Sequence, residues 1–317
     1  MIRQHRSKPL PLKKLDAVIP RLPAQFPTLS KMQEDVRKQQ HGYNGELQVD
    51  YYLDNLAPMY DILRDVYLRQ NNKNFQIDSC IIGDYAVYNA DSKNYNGTIE
   101  FNTTLRQLTR SDGTIESGFE YPITQVTNQA FHLQNWLTQH YFTQIPITSF
   151  AVIADPSTIV KVQGSQEKVA KYVTHSAEVS NLIMAYERQL ARSGAKKLPA
   201  KLIGQAILHE SGQFDRDLYK IYGIKPSDIL PGVICPKCRL LGMKRVHSGW
   251  WCPKCMQKHT NAHLNALNDY LMLIKNTITN SECMRFLGLK NRGVATRILK
   301  KSGLAYNEKQ RSWYKKK

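Results

Sequence analysis

The sequence predicts an α/β fold in the first half of the chain, followed by smaller modules. Two observations carry this. The first half runs helix, three or four short β-rich segments, helix, strand. The second half replaces that alternation with a helical stretch, a Gly/Pro-punctuated segment holding two Cys-Pro-Lys-Cys motifs, and a compact basic tail. At 317 residues the chain is about twice a typical domain, so two or three folded units are expected.

Residues 1–30 carry Pro9, Pro11, Pro20, Pro23 and Pro27 among basic residues without helical period, and read as an irregular basic arm. The α/β domain spans residues 31–165. Its first helix covers residues 29–56, broken around Gly42 and Gly45, with Leu47, Val49, Tyr52, Leu53 and Leu56 as its apolar face. Residues 60–68, 75–82 and 86–93 read as strands, the last closed by a turn at 94–97. Residues 98–101 and the flanks of Ser111-Asp112-Gly113 read as hairpin material. A long helix over residues 121–141 carries Val126, Ala130, Leu133 and Leu137 at helical spacing, and residues 147–154 form a buried strand. Residues 166–212 read as helical with a break at 194–199, within a helical linker or subdomain spanning 166–232; residues 233–260 hold the cysteine pairs, and residues 261–317 form the basic module.

Charge is partitioned along the chain. Up to Leu190 there are 19 basic and 19 acidic side chains, whereas the last 85 residues hold 18 basic and 3 acidic, so the formal net charge of +18 is almost entirely C-terminal. That imbalance is an electrostatic footprint for nucleic acid and argues against an acidic tail. Charged residues at 22% and hydrophobic ones at 42% rule out wholesale disorder. No apolar run reaches the roughly 18 residues of a membrane span. The basic start lacks the apolar core of a secretory signal, so a cytoplasmic protein without disulfides is expected.

Gln76-Ile77-Asp78 is followed, one strand later, by Asp91-Ser92-Lys93. Side chains at i and i+2 of a strand share a face, so Asp91 and Lys93 point together toward what Asp78 on the neighbouring strand can reach. Two carboxylates can hold Mg²⁺ beside a substrate phosphate, and a lysine can orient or deprotonate water and offset charge on the phosphate. Phosphodiester hydrolysis needs those parts.

The setting strengthens the triplet. Gly45-Glu46 opens an early helix, Gln76-Ile77-Asp78 follows a strand, Lys93-Asn94-Tyr95-Asn96-Gly97 closes the next, and Tyr121-Pro122-Ile123-Thr124-Gln125-Val126 opens a helix. Over residues 42–156 this resembles the nuclease-related domain (NERD) family, a branch of the PD-(D/E)xK nuclease superfamily. The resemblance implies a central mixed sheet flanked by helices, with Asp78, Asp91 and Lys93 as the active centre. It further implies Glu46 as an additional acidic ligand or water-orienting group and Gln125 as a supporting polar residue. The resemblance also implies the backbone carbonyl of Ser92 as a ligand, beside the aspartates, to Mg²⁺ or Mn²⁺, with DNA as the substrate. The family more often has Glu in place of Asp91, an apolar residue in place of Ser92 and His in place of Ser79. A nuclease fold kept without activity, as a DNA-binding or regulatory scaffold, is therefore the alternative.

Cys235-Pro-Lys-Cys238 and Cys252-Pro-Lys-Cys255, separated by 13 residues, form two knuckles able to give one Zn²⁺ four thiolates. The segment resembles a zinc ribbon. A closed Cys₄ site has no open position, so the metal is structural; a redox pair or free thiols are the competing readings. Trp250 and Trp251, set among basic residues, either stack on bases or pack the ribbon core. Cys80 and Cys283 lie in apolar stretches as small core residues.

In the tail, Asn280 or Ser281 can cap a helix carrying Cys283, Phe286 and Leu287, Gly288-Leu289 permits a turn, and Val294, Ile298 and Leu299 line a second helix. This is a helix-turn-helix pattern, and residues 306–314 can add the hairpin of a winged-helix domain. Lys290, Arg292, Arg297, Lys300 and Lys301 are the candidate nucleic-acid contacts; a helical hairpin with solvated charges is the plainer account.

Overall fold

Residues 61–93 fold back on themselves as three antiparallel strands, β1 (Asp61–Gln70), β2 (Lys73–Ile82) and β3 (Val87–Lys93). The computed structural model describes residues 4–316. They fall into two compact units, the first built from residues up to Lys8 together with Gln39–Phe214, the second from Pro9–Lys38 and the residues from Asp215 onward. A helix over Leu29–Leu53 contributes to both.

In the first unit, β4 (Thr98–Asn102), β5 (Gln107–Ser111) and β6 (Glu116–Phe119) follow β3, and the helix Pro122–Gln139 leads to β7 (Ile147–Ile153). After β8 (Ile159–Gln163) comes the short β9 (Val173–His175). The main sheet runs β1-β2-β3-β7-β9, with β7 parallel to both neighbours. A crossover through a helix is what a parallel β3–β7 pair requires. A second sheet, β6-β5-β4-β8, is built on the β4–β6 meander.

Both faces of the main sheet are covered. Ile81, Tyr88, Phe150 and Val152 pack with Val49, Leu53, Val179 and Ile183, from the helices Leu29–Leu53 and Val179–Arg192. Cys80, Ile82 and Val87 pack with Leu133, Trp136, Ile203 and Ile207, from the helices Pro122–Gln139 and Ala200–Glu210. The expected mixed sheet flanked by helices is thus present. Burial pushes the Cys80 thiol up to about 12, as suits an inert core residue.

Two features depart from the sequence reading in this unit. The first helix shows no break at Gly42 or Gly45. Gly45 serves close packing instead, since a Cβ there would lie 2.6 Å from the Asn94 Cβ. Asn94 is pinned to the same helix, its Nδ2 donating to the His41 carbonyl at 2.7 Å. Residues 166–212 are also not uniformly helical. They contain a five-residue helix, Gln166–Ala170, and β9, whose β-branched Val173 and Thr174 extend the sheet edge.

The second unit corrects the reading of residues 1–30 as an irregular arm. Leu10–Val18 is a helix, with Leu12, Leu15 and Val18 buried. Its prolines misled because Pro11 sits in the first turn, where a missing N–H costs nothing. Beyond it, the fully buried Arg21 pairs with Asp269 at 2.8 Å and donates to the Leu230 and Gly232 carbonyls. The cysteine segment carries a small sheet, β10 (Lys244–Val246), β11 (Gly249–Cys252) and β12 (Gln257–His259). The helix Ala262–Leu273, β13 (Thr277–Ile278), the helices Asn280–Leu287 and Arg292–Lys301, and the hairpin β14 (Ala305–Asn307) and β15 (Ser312–Tyr314) complete the unit. Thr279, rather than Asn280 or Ser281, caps the first tail helix in a box with Glu282. Gly288 then takes a left-handed turn, and Asn291 caps the second helix. Cys235, Trp250 and Cys252 share one core with Phe286, Ile298 and Trp313, so the ribbon segment and the tail pack together.

Candidate active site and zinc centre

Pairing between β2 and β3 stops at Ser79 opposite Ala90, so Asp78 and Asp91 to Lys93 run on past the end of that ladder. Val87 N–H bonds to Pro146 and the Lys93 carbonyl accepts from Ala154, which directs the peptide groups of alternate β3 residues toward β7. Ser92 therefore turns its own toward β2, where its N–H donates to Asp78 Oδ2 at 2.9 Å. Asp91 and Lys93 share a face as expected, their charged ends 2.5 Å apart. Lys93 also donates to Gln125 Oε1 at 2.7 Å, and Gln129, one turn further along the same helix, donates to Asp91 Oδ1 at 2.9 Å. Asn89 in turn donates to Gln129 Oε1 at 2.9 Å, fixing that amide.

Glu46 stands near Asp78 but its partner is unexpected. Arg6, from the stretch whose role the sequence left unread, pairs with Glu46 at 2.8 Å, Asp50 at 2.7 Å and Asp65 at 3.2 Å. Glu46 and Asp50 lie four apart on one helix and so share a face. Asp65 lies opposite Asp78 in the β1–β2 register, at a step the ladder skips. It has a left-handed backbone, φ 54°, a conformation that Asp tolerates better than most residues. The kink flips the alternation: Arg64 turns toward Asp50, at 2.9 Å, while Val66 enters the opposite core.

Electrostatics set the protonation pattern. Burial and the charge of Asp91 push Asp78 up to about 7, and burial and Asp78 push Glu46 up to about 8. Burial works against the Lys93 ammonium, yet Asp91 and Asp78 outweigh it and hold its pKa above the ordinary lysine value. Lys93 thus holds its proton more firmly than an ordinary lysine. The donors here are hard oxygens carrying more negative charge than their surroundings neutralise, which fits a divalent cation held by Asp78, Asp91 and the Ser92 carbonyl.

A pH effect follows. The folded-state pKa values of Asp78 and Glu46 lie above the unfolded carboxylate values near 4, so the folded chain binds more protons than the unfolded one between about pH 4 and pH 8. Stability is then lost as pH rises through that window. Zinc-loaded protein freed of Mg²⁺ and Mn²⁺ is expected to melt at lower temperature at pH 8 than at pH 5.5, with Mn²⁺ closing the gap. A melting temperature that climbs with pH in the ion-free protein would contradict this.

The four knuckle sulfurs lie within 4.8 Å of one another, with Cys235 to Cys255 at 3.6 Å and Cys238 to Cys252 at 3.4 Å. A tetrahedron with Zn–S bonds of about 2.3 Å has edges of about 3.8 Å, so the cluster can hold zinc. Backbone N–H groups of Cys255 and Lys254 help draw Cys252 down to about 6, whereas burial and the neighbouring thiols push Cys255 up to about 12. Four thiolates this close need a cation. Trp250 is a core residue whose Nε1 donates to His263 Nδ1 at 3.1 Å, which removes it as a base-stacking platform; Trp251 is half-buried. His263 is thereby a buried partner of that tryptophan.

Beside the ribbon lies a cleft of about 1130 Å³. Lys244, Arg245 and His247 line it from the ribbon, and Lys290, Arg297 and Lys301 from the tail; no carboxylate is among its described lining residues. Arg292 and Lys300 lie outside it, on the exposed surface of the same helix.

A helix-flanked mixed sheet with acids and a lysine gathered where its strands run out is the arrangement expected of a nuclease-like domain. Comparison with family models names it: residues 41–154 match the nuclease-related domain, NERD. Among curated proteins and among solved structures, none matches the chain significantly. The described residues contain no helix long and apolar enough to cross a membrane.

Proposed function

We propose that the chain is a Mg²⁺- or Mn²⁺-dependent nuclease acting on DNA, with a structural zinc ribbon and a winged-helix-like tail that hold the polymer. One observation carries the reading: Asp78, Asp91 and Lys93, spread over 15 positions of the sequence, converge where the β2–β3 ladder ends. When bound, the divalent ion supplies charge neutralisation at the scissile phosphate and lowers the pKa of water. Asp78 and Asp91 orient that ion, Gln129 fixes the Asp91 carboxylate, and Gln125 steers the Lys93 ammonium toward the phosphate oxygens. The test offers linear, nicked and single-stranded DNA, with RNA as competitor, to purified protein with each ion, beside Asp91→Asn. Ion-dependent cleavage lost in the variant is expected; intact polymers throughout would leave a non-catalytic scaffold as the better reading.

The tail's order of helix, strand, helix, turn, helix and hairpin supports a winged-helix reading, and its acid-free cleft suits phosphates. Arg297→Glu with Lys301→Glu is expected to weaken DNA binding at least about tenfold and to flatten the salt dependence by about two ions. Arg292→Glu with Lys300→Glu, matched in charge but outside the cleft, should do less. Equal losses in fluorescence anisotropy would reduce the effect to net charge.

A further inference from the structure

Arg6 is held as few arginines are. Its side chain is 1% exposed. Its Nε donates to Asp50 Oδ2 at 2.7 Å and its Nη1 to Glu46 Oε2 and Asp65 Oδ1 at 2.8 and 3.2 Å. Its Nη2 reaches Asp50 Oδ1, the Asp78 carbonyl and Ser79 Oγ at 3.2, 2.8 and 3.0 Å. All five N–H groups of the guanidinium are thus engaged. Burying a charge this far is costly unless its partners are arranged for it, and here three carboxylates, two from one helix and one from β1, converge on one cation.

The position matters more than the strength. Two-ion phosphodiester centres hold their metals about 3.5–4 Å apart and need acidic ligands for both. Glu46 is a carboxylate near enough to Asp78 for their charges to act on one another, and its Oε2 is already taken by Arg6. We propose that the Arg6 guanidinium stands in for a second divalent ion, so that the centre takes a single metal, between Asp78 and Asp91, and Glu46 serves as the arginine's counter-ion. Arg6 is then a positioning residue: it supplies fixed charge and anchors the Asp78 main chain from behind. This rests on the metal-dependent reading above.

Counting bound Mn²⁺ separates the possibilities, with free ion measured by electron paramagnetic resonance at equilibrium with zinc-loaded full-length protein. The wild type is expected to bind one ion. Arg6→Gln should bind two, the second lost again in Arg6→Gln with Glu46→Gln, and Arg6→Lys, which keeps the charge, should return to one. Glu46→Gln alone should keep one. Two ions in the wild type, one in a folded Arg6→Gln, or none in Glu46→Gln would each overturn the proposal while leaving metal dependence standing. No ion in the wild type would overturn both. Should Arg6→Gln fail to fold, two ions in the wild type or none in Glu46→Gln would still overturn the proposal.

Discussion

Cys252→Ser is expected to abolish zinc binding and the cooperative melting of the second unit. The reason lies in how little separates the sulfur cluster from that unit's core. Cys235 and Cys252 are themselves buried core residues, packed with Trp250, Phe286 and Ile298, so a metal bound by the cluster would tie that core together. Thiolates 3.4–3.6 Å apart repel once the ion is gone, and folding and metal binding become one event. Elemental analysis and calorimetry of the variant should show zinc near zero and one transition missing. Cys283→Ala, a core cysteine outside the cluster with its thiol pushed up to about 12 by burial, is the control and should keep its zinc. Zinc retained by Cys252→Ser would mean that the site is built otherwise.

Lys93→Met should lower ion-dependent cleavage by about 10²- to 10³-fold, the usual cost of removing one donor aimed at transition-state charge. Methionine preserves the length of the stem while deleting the ammonium that bridges Asp91 and Gln125. DNA affinity should stay within about twofold, because the cleft that suits phosphates belongs to other residues. If affinity and cleavage fall together, Lys93 grips the polymer and does not serve the reaction; if neither changes, its place beside Asp91 is structural.

Much of the architecture could be read in advance, and the failures share a cause. Period-two and period-3.6 patterns announced β1 to β3, the helix Pro122–Gln139 and the tail helices, because each buries a whole face. The Asp91–Lys93 pairing followed from strand geometry alone. What stayed hidden were single polar side chains whose role depends on a remote partner. Asp50 and Gln129 carried a faint signal, each four residues beyond a suspected site residue on a helix. Arg6 and Asp65 carried none, since an arginine among prolines and an aspartate within a strand acquire meaning only when 59 positions of chain bring them together. The helix Leu10–Val18 was missed for a different reason, prolines being counted as breakers without regard to the turn they occupy.

The interleaving of the two units has a consequence for biosynthesis. Arg21 emerges from the ribosome long before Asp269, its partner 248 positions downstream, has been translated. Until then Leu15, Ala17 and Val18 have no finished home, and the nascent polypeptide carries an apolar helix in waiting through the assembly of everything between. No single cut in the gene releases either half whole, so expression trials on fragments will need rejoined termini rather than truncation.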